Sequence, residues 1–150
     1  SDICARFANA GDFDCMVLAG RYSLLDQYAL NDFFPIAEKN NIGIILAGIF
    51  NSGILAKGVG ENITYFYDKI PEEVKQRYLK IANICKKYDV PVPAAAIQFC
   101  YTNKLVTSMI LGMDRLDQVE QNLEFLNFPI PEDLWKDLLN EKLIDERCPI

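Results

Sequence analysis

Three short apolar runs, each of strand length, constrain the fold of this chain more than any other feature. They occupy residues 13–19, 42–47 and 105–111. A nearly unbroken apolar run of this length is typical of a strand covered on both faces, as in a parallel sheet. We therefore expect three buried strands, each with cover on both sides.

Patterns of helical spacing separate these strands. They predict helices over residues 2–10, 24–38, 71–88, 94–101, 114–126 and 131–139, with Pro35 as a point at which the second could be divided. Pro71 and Pro131 each precede two acidic residues, which is a typical helix start. Strands that alternate with helices favour right-handed βαβ crossovers and a parallel α/β sheet.

The helix over residues 114–126 has its own start signal and apolar face. Asp114 is expected to cap it, with Asp117 three residues further on. Its predicted apolar stripe consists of Leu116, Val119, Leu123 and Leu126.

A sheet of only three strands leaves two edges of unpaired backbone groups. These strands carry almost no charge, and such edges invite association with other chains. We therefore expect that something continues the sheet, and that the chain by itself is prone to self-association.

Charge and composition exclude several classes of function. Fifteen Lys and Arg against 21 Asp and Glu give a net charge of −6, which argues against nucleic acid and anionic membranes as partners. The longest apolar run, residues 42–50, is too short to span a bilayer, and no signal peptide is evident, so a soluble cytoplasmic protein is expected. The five cysteines include no C-x-x-C pair, so neither a metal site nor a disulfide framework is predicted.

The chain contains no histidine. Mechanisms that rely on Ser-His, Cys-His or His-metal chemistry within the chain are therefore excluded. The sequence also begins at Ser1 rather than Met, within a predicted helix, so we expect a fragment.

Four passages, taken in order, resemble the C-terminal half of the aldo-keto reductases. They are residues 18–25 (LAGRYSLL), 51–55 (NSGIL), 110–112 with 118–122 (ILG and QVEQN), and 130–135 with 143–144. The most similar branch is that of the aldose 1-dehydrogenases acting on L-fucose, D-threo-aldoses or L-galactose. The resemblance covers essentially all of residues 1–150. It implies one domain, the C-terminal part of a TIM (β/α)8 barrel from the end of the fifth helix through the eighth unit, with the apolar runs as its sixth to eighth strands.

The resemblance also implies two groups of cofactor-binding residues, one on each of two turns. Phe50, Asn51 and Ser52 fall where the family wraps the pyrophosphate, and a second group falls where it holds the adenosine end: Gly112, Asp114, Gln118, Gln121 and Asn122. Taken without the resemblance, the first group is an ordinary strand-to-helix turn and the second an N-cap with a solvated helix face. The Asp114 carboxylate would repel a 2′-phosphate, which favours NAD over NADP, although Arg115 could compensate and leave NADP as the alternative cofactor.

Arg21 and Tyr22 are the residues that the resemblance directs toward the substrate, with packing as the alternative for Tyr22. Two departures stand nearby. Ala19 replaces a Gln, and Ala47 replaces an aromatic residue, that many relatives use to hold the nicotinamide.

The family's catalytic Tyr, Lys, Asp and His come from strands that these 150 residues do not include. No catalytic residue is therefore predicted in the chain, and it should be inactive alone; Tyr65 and Tyr67 are expected to form a lid or to pack. Our leading hypothesis is the cofactor-binding half of an NAD(P)-dependent oxidoreductase that converts an aldose to an aldonolactone, and that meets its sugar only with the missing half. One alternative is a non-catalytic nucleotide-binding or interaction half-barrel. Another is a small doubly wound domain in which residues 13–19 form a strand between the other two.

Overall fold

The computed structural model describes residues 1–60, 63–66 and 68–150, in which a parallel sheet carries helices on one face. The elements, in chain order, are α1 (Asp2–Ala10), β1 (Cys15–Ala19), a 3₁₀ helix (Tyr28–Asn31), α2 (Phe33–Lys39), β2 (Gly43–Ala47), α3 (Ile54–Lys57), α4 (Glu72–Lys87), α5 (Val92–Tyr101), β3 (Val106–Ile110), α6 (Leu116–Leu126) and α7 (Glu132–Asn140).

The strands follow the order β1-β2-β3, and both pairings are parallel, as predicted. β1 and β2 run in simple register from Cys15 opposite Gly43 to Ala19 opposite Ala47. A position of residues 13–19 between two other strands would have supported the doubly wound alternative; β1 instead lies at the edge of the sheet, so the structure gives that alternative no support.

The pairing of β2 with β3 contains one irregularity. Ile44 pairs with Val106, whereas the next residue, Ile45, pairs with Ser108, so Thr107 is an extra residue on β3. The Thr107 hydroxyl donates a hydrogen bond to the Ile44 carbonyl at 3.3 Å.

Within the described residues, only one face of the sheet is covered. On this covered face Leu18, Ile44 and Leu46 are buried against the helices. The opposite face, the open face, consists of exposed or half-buried side chains: Cys15, Val17, Ala19, Ile45, Ala47, Ser108 and Ile110. The expected cover on both faces is therefore wrong for the described residues, because their helices all pack on the same side.

The predicted helix over residues 24–38 is shorter than expected. Residues 24–27 form a loop, the 3₁₀ helix follows, and α2 begins only at Phe33. Pro35 does not divide α2, because it is the third helical residue, where the N–H has no acceptor within the helix. The starts predicted after Pro71 and Pro131 are confirmed in α4 and α7.

The structure corrects two expectations about α6. The residue before it is Arg115 rather than Asp114, and no side chain caps it. Its predicted apolar stripe, hereafter the α6 stripe (Leu116, Val119, Leu123 and Leu126), is exposed, with Leu116 at 73%. The helix instead packs against α5 through Phe125, and Gln98 of α5 donates to the Phe125 and Phe128 carbonyls at 2.9 and 2.7 Å.

In the described ranges, none of the helices combines the length and the apolar character that a membrane span requires.

Candidate functional site

The turns that follow β2 and β3 lie side by side and enclose a groove of about 660 Å³. Of the eight residues predicted to bind a cofactor, seven line this groove: Phe50, Ser52, Gly112, Asp114, Gln118, Gln121 and Asn122. Both turns stand at the C-terminal ends of parallel strands, the edge at which α/β folds of this kind place their ligands. Residues about 60 positions apart in sequence thus share one site.

Unusual backbone geometry shapes the turn after β2. Asn51, Ser52 and Gly53 occupy the left-handed region in succession, with φ values of 47°, 57° and 96°. The turn is closed by hydrogen bonds from Asn51 N to the Gly48 carbonyl and from Gly53 N to the Phe50 carbonyl, each 3.0 Å. Among the described residues, the N–H groups of Phe50 and Ser52 have no acceptor. Strained turns with free amides are well suited to holding anionic oxygens.

Charged residues of both signs line the groove. Lys57 and Arg115 face it together with Asp114. The Arg115 guanidinium is bound to the Asp117 carboxylate by two hydrogen bonds of 3.0 and 3.2 Å, whereas Lys57 makes no ion pair within the described parts of the chain. Lys57 is therefore the cation available to a ligand in this conformation.

The Asp114 backbone N–H donates to the Gln118 side-chain carbonyl at 2.9 Å, which ties the turn after β3 to α6. Beside it, no described residue other than its chain neighbours has an atom within 4 Å of the position that a Gly112 Cβ would occupy. The turn therefore leaves open space on the groove side.

Asn51, the eighth predicted residue, is placed differently. It is 4% exposed, and its side-chain carbonyl accepts a 2.6 Å hydrogen bond from the Ser23 hydroxyl. Its side-chain nitrogen has no partner among the described residues. Asn51 lies in the wall of a second, smaller cavity of about 140 Å³, which shares Gly48 and Ser52 with the groove.

Of the two residues predicted to face the substrate, Tyr22 does not do so in this structure. It is 1% exposed and packs between Phe34 and Phe99, with ring centroids 4.6 and 5.2 Å away. Burial raises the pKa of its phenol. The structure thus contradicts the prediction that Tyr22 faces the substrate and agrees with its packing alternative, because the ring is buried between two other aromatic rings.

Arg21 is at the surface near the smaller cavity. Its guanidinium makes a 3.2 Å ion pair with Asp26 and lies 4.7 Å from the centroid of the Phe66 ring. Tyr65 approaches the same carboxylate, with its hydroxyl 3.4 Å from Asp26 Oδ2. Burial and the Asp26 charge raise the Tyr65 pKa, so its phenol stays protonated at neutral pH.

The sequence indicated Tyr65 but not Phe66 or Asp26 as members of this cluster. Asp26 lies about 40 positions before the two aromatic residues, so no local sequence motif could have indicated that they come together. Tyr67, the second tyrosine predicted for a lid, lies outside the described residues. In the ranges that the structure covers, no three Cys, Asp or Glu side chains come together as a metal site would require.

Comparison with known proteins identifies the architecture. The aldo/keto reductase family model matches residues 2–140. The chain is 41% identical to a D-threo-aldose 1-dehydrogenase of Pseudomonas sp over 145 residues, which cover 96% of this chain and 44% of that protein. It is also 41% identical to a pyridoxal 4-dehydrogenase of Microbacterium luteolum over 133 residues, 89% of this chain and 39% of that protein.

A solved structure shows the same fold. The holo form of an aldo-keto reductase from Bacillus halodurans superimposes with a TM-score of 0.70 at 18% identity, over 99% of this chain and 50% of that one. The chain spans less than half the length of both curated relatives, and its three βα units correspond to part of a (β/α)8 barrel. The chain therefore belongs to the aldo/keto reductase family.

Proposed function

We propose that this chain is the cofactor-binding part of an NAD(P)-dependent aldo-keto reductase whose complete barrel oxidises an aldose to an aldonolactone. One observation carries the proposal: two turns that are distant in sequence bring seven predicted cofactor residues to a single groove. The similarity to an aldose 1-dehydrogenase supports the choice of substrate class.

The groove fits a dinucleotide chemically. The free N–H groups of Phe50 and Ser52, together with the Lys57 ammonium, would hold phosphate oxygens, which need several donors and a positive charge. The side chains of Gln118, Gln121 and Asn122 would present amide groups to the polar edge of an adenine. When bound, the nicotinamide cofactor supplies a hydride acceptor for oxidation of the sugar.

Asp114 supports NAD as the cofactor. Its carboxylate lines the groove, and Arg115, which could neutralise a 2′-phosphate, is engaged by Asp117. A third phosphate near Asp114 would therefore be repelled. Replacement of Asp114 by Asn should narrow the preference for NAD over NADP, with Asp133→Asn on α7 as a matched control that removes a carboxylate elsewhere.

The chain by itself should not turn over substrate. It contains no histidine, and burial keeps Tyr22 protonated inside the core. In this proposal the proton-transferring residues and most of the sugar-binding residues belong to the rest of the barrel, which closes over the open face.

Calorimetric titration with ADP-ribose, NAD and NADP tests the proposal. A Gly112→Val variant should lose binding, because its side chain enters the open space of the groove. Ala10→Val, at an exposed site on α1 at the other end of β1, is the control that introduces the same side chain away from the groove. Failure of the unmodified chain to bind ADP-ribose would refute the proposal, as would reduction of NAD by L-fucose or D-arabinose with this chain alone.

The open face favours one second candidate, an interaction half-barrel that pairs with another chain or a second copy. Its apolar side chains include Val17 and Ile110, both 53% exposed. A monodisperse dimer that binds NAD in light scattering and titration would support this candidate, whereas concentration-dependent aggregation would support a part of a larger enzyme.

A further inference from the structure

A hollow of about 640 Å³ lies between α4, the end of α7 and the segment that follows α7. None of the residues that line it also lines the groove of the proposed function. Its charged residues are three cations and two acids: Arg77, Lys142, Arg147, Asp145 and Glu146. We call this feature the arginine hollow. Cations thus outnumber acids here, although the net charge of the chain is −6.

One ion pair of the arginine hollow is already complete. Arg147 Nε and Nη2 donate to the two carboxylate oxygens of Asp145 at 2.8 and 2.6 Å. These hydrogen bonds hold the pKa of the Asp145 carboxyl at about 2, so the pair stays ionised at neutral pH. Within the described residues, Arg77, Lys142 and Glu146 are then the charged groups of the hollow that form no ion pair. They leave an excess of one positive charge.

The Arg77 guanidinium is fixed in place by neutral acceptors. Its Nη2 donates to the side-chain carbonyl of Gln27 at 3.2 Å and to the backbone carbonyl of Leu143. The Gln27 amide is itself oriented, because its nitrogen donates to the Ser23 carbonyl at 2.6 Å. Two nitrogens of Arg77 have no acceptor in the described ranges, and of these Nε is enclosed by protein whereas Nη1 is not. Nη1 is therefore the donor that a ligand in the hollow can use.

The surroundings of Arg77 do not cancel its charge. Burial lowers the pKa of its guanidinium, and the largest opposing effect comes from the Asp26 carboxylate, which is already paired with Arg21 at 3.2 Å. A half-buried cation without a partner of its own is costly, and an anion from solution would offset that cost. Helix α4, which carries Arg77, adds to the positive potential, since it contains five Lys and Arg residues against two Glu.

We propose that the arginine hollow binds a small oxyanion whose oxygens accept hydrogen bonds from Arg77 Nη1 and from the Lys142 ammonium. Lys142 is exposed on the turn after α7, so its flexible side chain can follow an anion held by Arg77. The phosphate group of a metabolite and a carboxylate share this chemistry. Glu146 lines the same hollow and would repel either one, which limits the affinity. The proposal goes beyond the proposed function and does not rest on it, because the hollow and the groove share no residue.

NMR titration of the isotopically labelled chain with inorganic phosphate tests the proposal, with ionic strength held constant by chloride. The backbone signals of Lys142 and Glu146 should shift and reach saturation, whereas Ser52 and Gly112 report any phosphate that enters the groove. Saturable shifts of the same signals with acetate would identify a carboxylate as a ligand. Shifts confined to Ser52 and Gly112, equal shifts with chloride alone, or no saturable shift with phosphate or acetate would each overturn the proposal.

Substitutions assign the binding to particular side chains. Arg77→Gln should weaken phosphate binding by about tenfold or more, the loss expected for a hydrogen bond from a charged group. Lys142→Gln should weaken it by about two- to fivefold, because an exposed ion pair contributes less. Glu146→Gln should tighten binding, since it removes the opposing carboxylate.

The matched control is Lys80→Gln, which removes an exposed cation of the same helix outside the hollow. It should change phosphate affinity by less than about twofold, because solvent and salt screen its charge. Equal losses in Lys80→Gln and Lys142→Gln would show general attraction to α4 and would contradict a site. Should Arg77→Gln fail to fold, the exposed positions Lys142 and Glu146 still decide the outcome: unchanged affinity in both variants would refute the proposal.

Discussion

The covered and open faces of the sheet carry similar apolar side chains in very different surroundings. Leu18 and Leu46 are at most 2% exposed, whereas Val17, the immediate neighbour of Leu18, is 53% exposed. Side chains alternate between faces along a strand, so a run that is apolar at every position places half of its hydrophobic surface on each face. The helices in the described part of the chain cover only one of these faces. An apolar strand sequence therefore predicts that both faces of the strand will be buried, but it does not show whether the burying residues belong to the same chain.

The largest effect should come from truncation on the covered face. Leu46→Ala leaves a cavity among buried side chains and should lower the free energy of unfolding by about 2–5 kcal/mol. Val17→Ala, the matched change on the open face, should cost less than about 1 kcal/mol. Urea denaturation followed by circular dichroism measures both, and equal losses would show that the two faces are equally covered.

Thiol reactivity compares buried and exposed cysteines without mutation. Cys15 is exposed on the open face, whereas Cys85 is buried and burial raises its pKa to about 11 from 9.0. That shift alone lowers the thiolate fraction of Cys85 at neutral pH about 100-fold. Labelling by a maleimide, followed by mass spectrometry of peptides, should modify Cys15 first; early labelling of Cys85 would contradict the packing of α4.

Enlarging a side chain should affect the stability of the buried helix α5 much more than that of the exposed face of α6. Ala95 in α5 is fully buried, so Ala95→Leu should destabilise the fold by about 1–3 kcal/mol through overpacking. Val119→Leu, which enlarges a side chain of the exposed α6 stripe, should leave the melting temperature almost unchanged. A comparable loss in both variants would mean that α6 is packed as tightly as α5.

The smallest change in stability should follow polar substitution of the α6 stripe. Leu116→Ser with Leu123→Ser should alter the free energy of unfolding by no more than about 0.5 kcal/mol per site, because neither side chain is buried. The same variant should associate less at high concentration, since it removes exposed apolar surface. Sedimentation velocity measures association, and strong destabilisation would indicate that the stripe is covered.

Local patterns predicted the order and type of the main elements because each depends on nearby residues. Pro71 and Pro131 marked helix starts, and the three apolar runs marked strands. Predictions that depend on contacts with other elements were less successful. The exposure of Val17 and Leu116 and the burial of Tyr22 are determined by which helices and strands pack against them. Asn51 shows the same limit within the site. Its side chain is held away from the groove, which its neighbour Ser52 lines, because it is hydrogen-bonded to the hydroxyl of Ser23, 28 positions earlier in the chain.

The irregularity in β3 determines which side chains beyond Thr107 face the core. Across the irregularity, Val106 pairs with the buried Ile44, and Met109 pairs with the buried Leu46, although three positions separate Val106 from Met109 and only two separate Ile44 from Leu46. If the strand kept Thr107 but paired without the irregularity, Ser108 would face inward and Met109 outward, the reverse of what is observed. The irregularity thus absorbs Thr107 and keeps Met109 on the core side of the strand, so deletion of Thr107 would make the pairing regular and leave the orientation of the residues that lead into the groove unchanged.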